Sequence, residues 1–303
     1  MTTMRIGSVA SSRSTPWTSG MLNRVLDKTK RAVTRTRGMR ALEGDEEGRV
    51  IVAAIRAAQD ESTLSAESRE WTQRIELVRA RLNASMREIS RVDFGAGGPH
   101  DTRSVETMQQ GVVVMETLGE LSRNASKPPF WCRFLFALVR GIMPESGIEM
   151  GTALGLSASY QAAAFRLNRR GRFATLEGAA SLAEEARSNL HSLGLDEVDV
   201  VVGRFVDTLP EVLSARQPLD YVFVDGHHDG QATVEYFEWL LPHLAPRAFL
   251  VFDDIAWSDG MRQAWNRIAR DERVALAVDL GQIGVVLLDG SSSRSRRYRV
   301  PLH

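Results

Sequence analysis

Cysteine is almost absent. The 303-residue chain holds one, Cys132, which rules out an internal disulfide framework and suits a reducing compartment. An excess charge of either sign is missing too. The 38 Lys and Arg residues balance 38 Asp and Glu, so no whole-chain field draws the protein to nucleic acid or an anionic membrane. No apolar run reaches the roughly 18 to 20 residues that cross a bilayer. The opening MTTMRIGSVASSRSTPWTSG lacks the apolar core of a secretory leader. These absences predict a soluble, cytoplasmic protein with no membrane span and no specific nucleic-acid partner. What is present is 43% hydrophobic residues, enough for one large domain or two modest ones.

The charge balance hides an uneven distribution. Residues 1–40 hold nine Lys or Arg and a single acid, Asp27. With its Ser, Thr and Gly content, a basic arm over 1–45 is expected to be disordered or only partly helical. The stretch SGMLNRVLDKTKRAV could form a short amphipathic helix that touches an anionic partner. From 46 to 143 apolar residues recur three and four apart, and helices are expected over RVIVAAIRAAQ, WTQRIELVRARLNASMREI, VETMQQGVVVMETLGELS and PFWCRFLFALVRGIM. DFGAGGPHD breaks this run with glycine and proline. The aromatic cluster Phe130, Trp131, Phe134 and Phe136 reads as core packing, and the whole segment as a lid or brace. Residues 291–303 form a short basic tail.

Between 144 and 290 the texture changes to five short apolar runs alternating with helical stretches: GIEMG, RFATLEG, VDVVVG, LDYVFVDG and AFLVFDDI. Successive βα units give an α/β domain with a mostly parallel sheet and helices on both faces. The last two runs, RVALAVDL and IGVVLLDG, are joined by GQ alone. That link permits a hairpin and forbids a parallel crossover. The expectation is a seven-stranded, mostly parallel Rossmann-like sheet that ends in a hairpin.

Ligands of such sheets bind beyond the carboxyl ends of the strands, and the distinctive residues fall there. Gly151 and Gly155 follow the first strand, Glu177 ends the second, and Gly203 with Arg204 ends the third. Asp225 ends the fourth, and Asp253 and Asp254 the fifth. The first loop, EMGTALG, is spaced G-x-x-x-G rather than the G-x-G-x-x-G of a pyrophosphate cradle, and Glu149 beside it disfavours an anion. A ligand carrying positive charge and hydroxyl donors fits better, and S-adenosylmethionine has an ammonium, a sulfonium and a ribose. Glu149, Gly151, Thr152, Gly155 and Ser157 are the candidates on the first loop and helix. Glu177, 26 residues after Gly151, is the candidate for the ribose hydroxyls.

Those residues carry a resemblance. IEMGTALGLSA, TLEGAASLAEEARSNL, VVVGRFVDTLPEVL, YVFVDGHHDG and LVFDDIAW together resemble the class I S-adenosylmethionine-dependent methyltransferases, in the branch of catechol- and sugar-type O-methyltransferases. The resemblance implies a sheet of order 3-2-1-4-5-7-6 with strand seven antiparallel, and methylation of a hydroxyl on a small acceptor such as a sugar, catechol or natural product. It also implies that Asp225, Asp253 and Asp254 hold Mg²⁺, or another hard cation suited to oxygen ligands. The catechol-type enzymes place a lysine base three residues after the fourth-strand aspartate. Here that position is His228, a general-base candidate as in the sugar enzymes. His227 is expected against the cofactor. A metal-independent methyltransferase, a nicotinamide-dependent oxidoreductase and a catalytically silent scaffold are the alternatives, and a homo-oligomer is left open.

Overall fold

The structure, a computed structural model, describes residues 17–97, 103–292 and 294–302; residues 1–16 of the basic arm and 98–101 of the glycine-rich break lie outside the described residues. Helix α1 (Trp17–Glu43) runs through most of the arm and is longer than the short helix expected within it. It is followed by α2 (Gly48–Gln59) and α3 (Ala66–Asn83). The α2 helix buries Ile51, Val52, Ile55 and Ala58 along one face, the 3.6-residue spacing that marked it in the sequence.

The next segment departs from the expected helices. Strand β1 (Glu88–Asp93) pairs antiparallel with β2 (Val112–Thr117), and the short helix α4 (Val105–Gln110) precedes β2. Helix α5 (Leu118–Ala125) follows directly, opened by a capping box between Thr117 and Glu120. The stretch expected as one helix over 105–122 is therefore a helix, a strand and a helix. Gly111 is the reason. It adopts φ +77°, and a Cβ there would lie 2.3 Å from Cγ1 of Val92. The three valines that follow favour extended backbone. Ser181 Oγ, from the α/β domain, donates to Ser90 O at 2.8 Å, and Arg87 pairs with Glu185; both contacts fix the hairpin to the rim of that domain.

Helix α6 (Pro129–Ile142) ends this region. Trp131, Phe134 and Phe136 are buried in it, with Trp131 packed edge-on to Phe134 at 5.8 Å. Cys132 is buried beside them, and burial pushes its thiol up to about 12, so it is an unreactive packing group.

The α/β domain alternates as the apolar runs predict: β3 (Ser146–Met150), α7 (Leu156–Asn168), β4 (Arg172–Glu177), α8 (Ala180–Ser192), β5 (Asp199–Val202), α9 (Phe205–Arg216), β6 (Leu219–Val224), α10 (Gly230–Leu240), β7 (Leu244–Phe252), α11 (Asp259–Ile268), β8 (Val274–Asp279) and β9 (Gly284–Asp289). In order of appearance these seven strands lie 3-2-1-4-5-7-6. The seventh, β9, is antiparallel to both neighbours. An eighth strand, β10 (Arg296–Arg299), comes from the basic tail and extends the sheet parallel to β8. Buried residues form two clusters. One joins the N-terminal helices to α7 and α8, and the other joins α9, α10 and α11 to the sheet.

The eighth strand also anchors the N-terminal region. Arg296 pairs with Asp45 at 3.0 Å and with Glu47 at 2.8 Å, while Tyr298 donates to Asp45 at 3.0 Å. Gly38 of α1 lies so close that a Cβ would sit 2.1 Å from the Arg299 carbonyl oxygen.

Candidate active site

The site begins where β3 ends. Gly151 adopts φ +109°, and a Cβ there would stand 1.9 Å from the carbonyl oxygen of Asp225, so only glycine lets the two strand ends approach this closely. Hydrogen bonds from Gly151 N to Leu176 O at 2.9 Å and from Asp225 N to Met150 O at 2.8 Å lock three strand ends together. Gly155 (φ +77°) opens α7 against Ala186. Above this framework lies a cavity of about 490 Å³, within the size range of small-molecule sites. Of the residues expected from the sequence, Gly151, Thr152, Ser157, Glu177, Arg204, Asp225, His227 and His228 line it. Glu149, Gly155, Gly203, Asp253 and Asp254 sit behind the lining.

Glu149 is fully buried. Its carboxyl accepts from Gln161 Nε2 at 2.7 Å and from Thr175 Oγ1 at 2.6 Å, and Tyr221 OH holds Gln161 from the other side at 2.7 Å. Burial pushes its pKa up to about 8, against the pull of Thr175, Ser157 and Gln161. It reaches the cavity indirectly, through Ser157 and through Thr175, whose hydroxyl bonds that of Thr152 at 2.6 Å. Glu177, by contrast, lines the cavity and accepts from two backbone N–H groups, Ala153 at 2.8 Å and Ala179 at 2.9 Å. Burial raises its pKa, and those two bonds oppose the shift. Next to it a Cβ on Gly178 would lie 2.9 Å from the ring of Phe94, which enters from the end of β1.

The fourth and fifth strand ends carry the second cluster. Asp253 is buried, and its Oδ2 is ion-paired to Lys127 Nζ, which also stands 3.4 Å from Asp225 Oδ1. Lys127 precedes α6 and is itself buried. Burial disfavours its charge, yet Asp225, Asp253 and Asp254 together raise its pKa, so it remains an ammonium. One ammonium is outnumbered by three carboxylates. Burial and the Asp225 carboxylate therefore push Asp253 up to about 7 despite Lys127. Asp254 shifts the same way through burial and Asp253; it accepts from Gln282 Nε2 at 3.1 Å, and Gln282 Oε1 accepts from Trp131 of α6 at 2.8 Å.

The histidines complete the cluster. His228 Nε2 lies 3.9 Å from Asp225 Oδ1, and its Nδ1 lies 3.8 Å from Asp254 Oδ2. His227 Nδ1 bonds the Tyr236 hydroxyl at 2.7 Å, and burial lowers its pKa. His227, His228 and Asp254 all have positive φ, at 71°, 48° and 49°. The first two lie on the loop after β6 and the third on the loop after β7, and such backbone marks loops whose shape is imposed by their surroundings, as functional loops often are. The glycine-rich segment closes over the first loop, with Ala96 N donating to His227 O at 2.9 Å. At the rim, Arg204 pairs with Asp207 at 2.7 Å and donates to Gln109 O at 3.1 Å, which ties α9 to α4.

These carboxylates do not fit a divalent cation as they are arranged. Mg²⁺ needs a near-octahedral set of oxygens, whereas the Lys127 ammonium already stands between these strand ends, against Asp225 Oδ1 and Asp253 Oδ2. Among the described residues, no group of three or more His, Cys, Asp or Glu side chains is placed to hold a metal ion. Lys127 and Phe94 are the site residues that sequence reasoning passed over. Phe94 sits in a stretch read only as a break. Lys127 had a signal: the chain has just three lysines, at 28, 30 and 127, against 35 arginines.

Residues 148–255, which span the glycine loop and both acidic strand ends, match the family model described as a methyltransferase domain. Those residues form a methyltransferase domain, and they sit on a sheet of the order expected of the class I fold. Solved structures similar to the methyltransferase domain include an O-methyltransferase from Bacillus cereus in complex with SAH, at 25% identity over 55% of this chain and 83% of that one, TM-score 0.47. Another is the O-methyltransferase TomG from Streptomyces achromogenes, involved in tomaymycin synthesis and solved with SAM, at 26% identity over 55% and 83%, TM-score 0.48. Cofactor-bound Rv0187 from MTB stands at 27% over 56% and 84%, TM-score 0.48. No curated protein matches the chain.

Proposed function

We propose that this methyltransferase methylates a hydroxyl group of a small-molecule acceptor, with His228 as the general base. The observation that carries the reading is the convergence of three features on one cavity: the glycine loop, the Glu177 carboxylate and the His228–Asp225 pair. When bound, S-adenosylmethionine supplies an electrophilic methyl group on a sulfonium.

The chain's own residues divide the remaining work. The cradle at Gly151 and Gly178, where a Cβ would collide with Asp225 or Phe94, gives the cofactor a close backbone approach on one side and an aromatic face on the other. Glu177 spends one lone pair of each oxygen on backbone N–H groups. The remaining lone pairs are available to the ribose hydroxyls. His227, its pKa lowered by burial and its Nδ1 engaged by Tyr236, acts as an uncharged hydrogen-bonding wall. His228 takes the acceptor's proton, and Asp225 stabilises the imidazolium that forms. The segment from Phe94 to Ala96, held to His227, keeps water from the reacting groups. No step here passes through a divalent cation, because the carboxylates expected to bind one face Lys127.

The test is release of S-adenosylhomocysteine from pools of hydroxylated acceptors. His228→Ala is expected to lower turnover by roughly 10²- to 10⁴-fold while calorimetric binding of S-adenosylhomocysteine persists. Wild-type turnover in His228→Ala would refute the base assignment.

A further inference from the structure

We infer that the Lys127 ammonium is the permanent cation of this active site: it takes the seat that the strand-end carboxylates would otherwise offer a divalent metal. The inference rests on the methyltransferase reading above and deepens it. Four observations converge. Lys127 lines the cavity, yet it is delivered by the N-terminal region rather than by the α/β domain. Its nitrogen contacts carboxylates from two strand ends, pairing with Asp253 and lying 3.4 Å from Asp225. It is buried along with Asp253, so the pair is shielded from water and the ammonium is not a passing surface partner. The chain meets almost every other need for positive charge with arginine, 35 times out of 38. A guanidinium is a broad planar fork, whereas an ammonium is a compact point charge that fits where a small cation would.

The placement has a chemical consequence for the acceptor. A divalent cation can chelate two neighbouring hydroxyls. An ammonium has three N–H groups; Asp253 accepts one in a hydrogen bond, and Asp225, ion-paired at 3.4 Å, faces a second. One is left for a single acceptor oxygen. The substrate class that fits is therefore one with a single reactive hydroxyl beside His228, with no requirement for a vicinal diol or catechol.

The test is a titration of the full chain with Mn²⁺, read by loss of the free-ion signal in electron paramagnetic resonance. Wild type is expected to bind no Mn²⁺ below about millimolar concentration. Lys127→Met is expected to bind one equivalent at least tenfold more tightly than wild type, and Lys127→Met combined with Asp253→Asn to lose that gain. Lys127→Arg should behave as wild type. Should Lys127→Met fail to fold, Lys127→Gln is titrated in its place. One tight Mn²⁺ in wild type, or a folded Lys127→Met or Lys127→Gln without gain, overturns the inference. Calorimetric titration of the same samples with S-adenosylhomocysteine tests the methyltransferase reading separately, since that ligand's contacts do not depend on which cation the carboxylates hold.

Discussion

Two buried carboxylate sites lie side by side at the strand ends, and the chain neutralises them by opposite means. Glu149 sits among hydrogen-bonding neutral partners, Gln161 and Thr175, and burial leaves it holding its proton up to about pH 8. Asp225 and Asp253 are given a counter-ion, Lys127, brought in from outside the domain. A buried acid needs either a proton or a partner charge. Here the choice follows position: the acid behind the glycine loop is held by neutral partners, and the acids around His228 are given a counter-ion.

The largest expected effect comes from removing the counter-ion. Lys127→Met leaves the aspartates uncompensated and should cost about 3–5 kcal/mol of unfolding free energy at pH 8, measured by denaturant titration. The loss should shrink by pH 5, where the freed carboxylates take up protons. A loss below about 1 kcal/mol at pH 8 would mean that the pair is not the neutralising device inferred here.

Glu177 falls between the two cases, stabilised by backbone N–H groups instead of a proton or an ion. Glu177→Ala should weaken binding of S-adenosylmethionine by about 2–4 kcal/mol in calorimetry, because two charge-assisted hydrogen bonds are lost. Unchanged affinity would place the ribose elsewhere.

The smallest effect is a slope. The Glu149 pKa is raised from an ordinary 4.5 to about 8 in the folded protein. Its contribution to stability is therefore full below about pH 4.5, is lost as pH climbs through that window, and levels off above about 8. Glu149→Gln carries no such proton. Between pH 6 and 7 wild type should lose about 1 kcal/mol more than the variant, read from paired thermal melts. Parallel pH profiles would show that Glu149 is ionised and that the two sites are alike after all.

The legible parts of the molecule were those whose signals are local. Apolar runs with helical stretches between them, and the two-residue link before β9, carried the seven strands and their directions, and the methyltransferase resemblance carried their order. Gly151, Glu177, Asp225 and His228 stood out because each sits at the end of such a run. What stayed hidden depends on distant partners. Lys127 meets Asp253 across 126 residues of chain, and nothing around it announces a site. The β2 strand pairs with EISRVD, a polar segment with little strand character, so its three valines read as part of a helix. β10 is nearly all arginine, and backbone pairing with β8 makes it a strand. Glu149 was legible as a buried acid but not as one held behind the loop, because the sequence does not show that Gln161 and Thr175 face it.

The joint between α1 and β10 also has a meaning in time. Asp45 and its partner Tyr298 lie 253 residues apart. At a synthesis rate of about 5–20 residues per second, α1 and its Asp45 exist for roughly ten to fifty seconds before the strand they rest on has been made. During that interval the surface of α1 that approaches Arg299 has no cover, and the β8 edge stays bare until the last strand arrives. The nascent chain is thus most open to wrong partners early, and the joint closes only when Arg296–Arg299 are in place. A chain shortened by that one basic strand would keep every residue of the active site and still be left in the unfinished state.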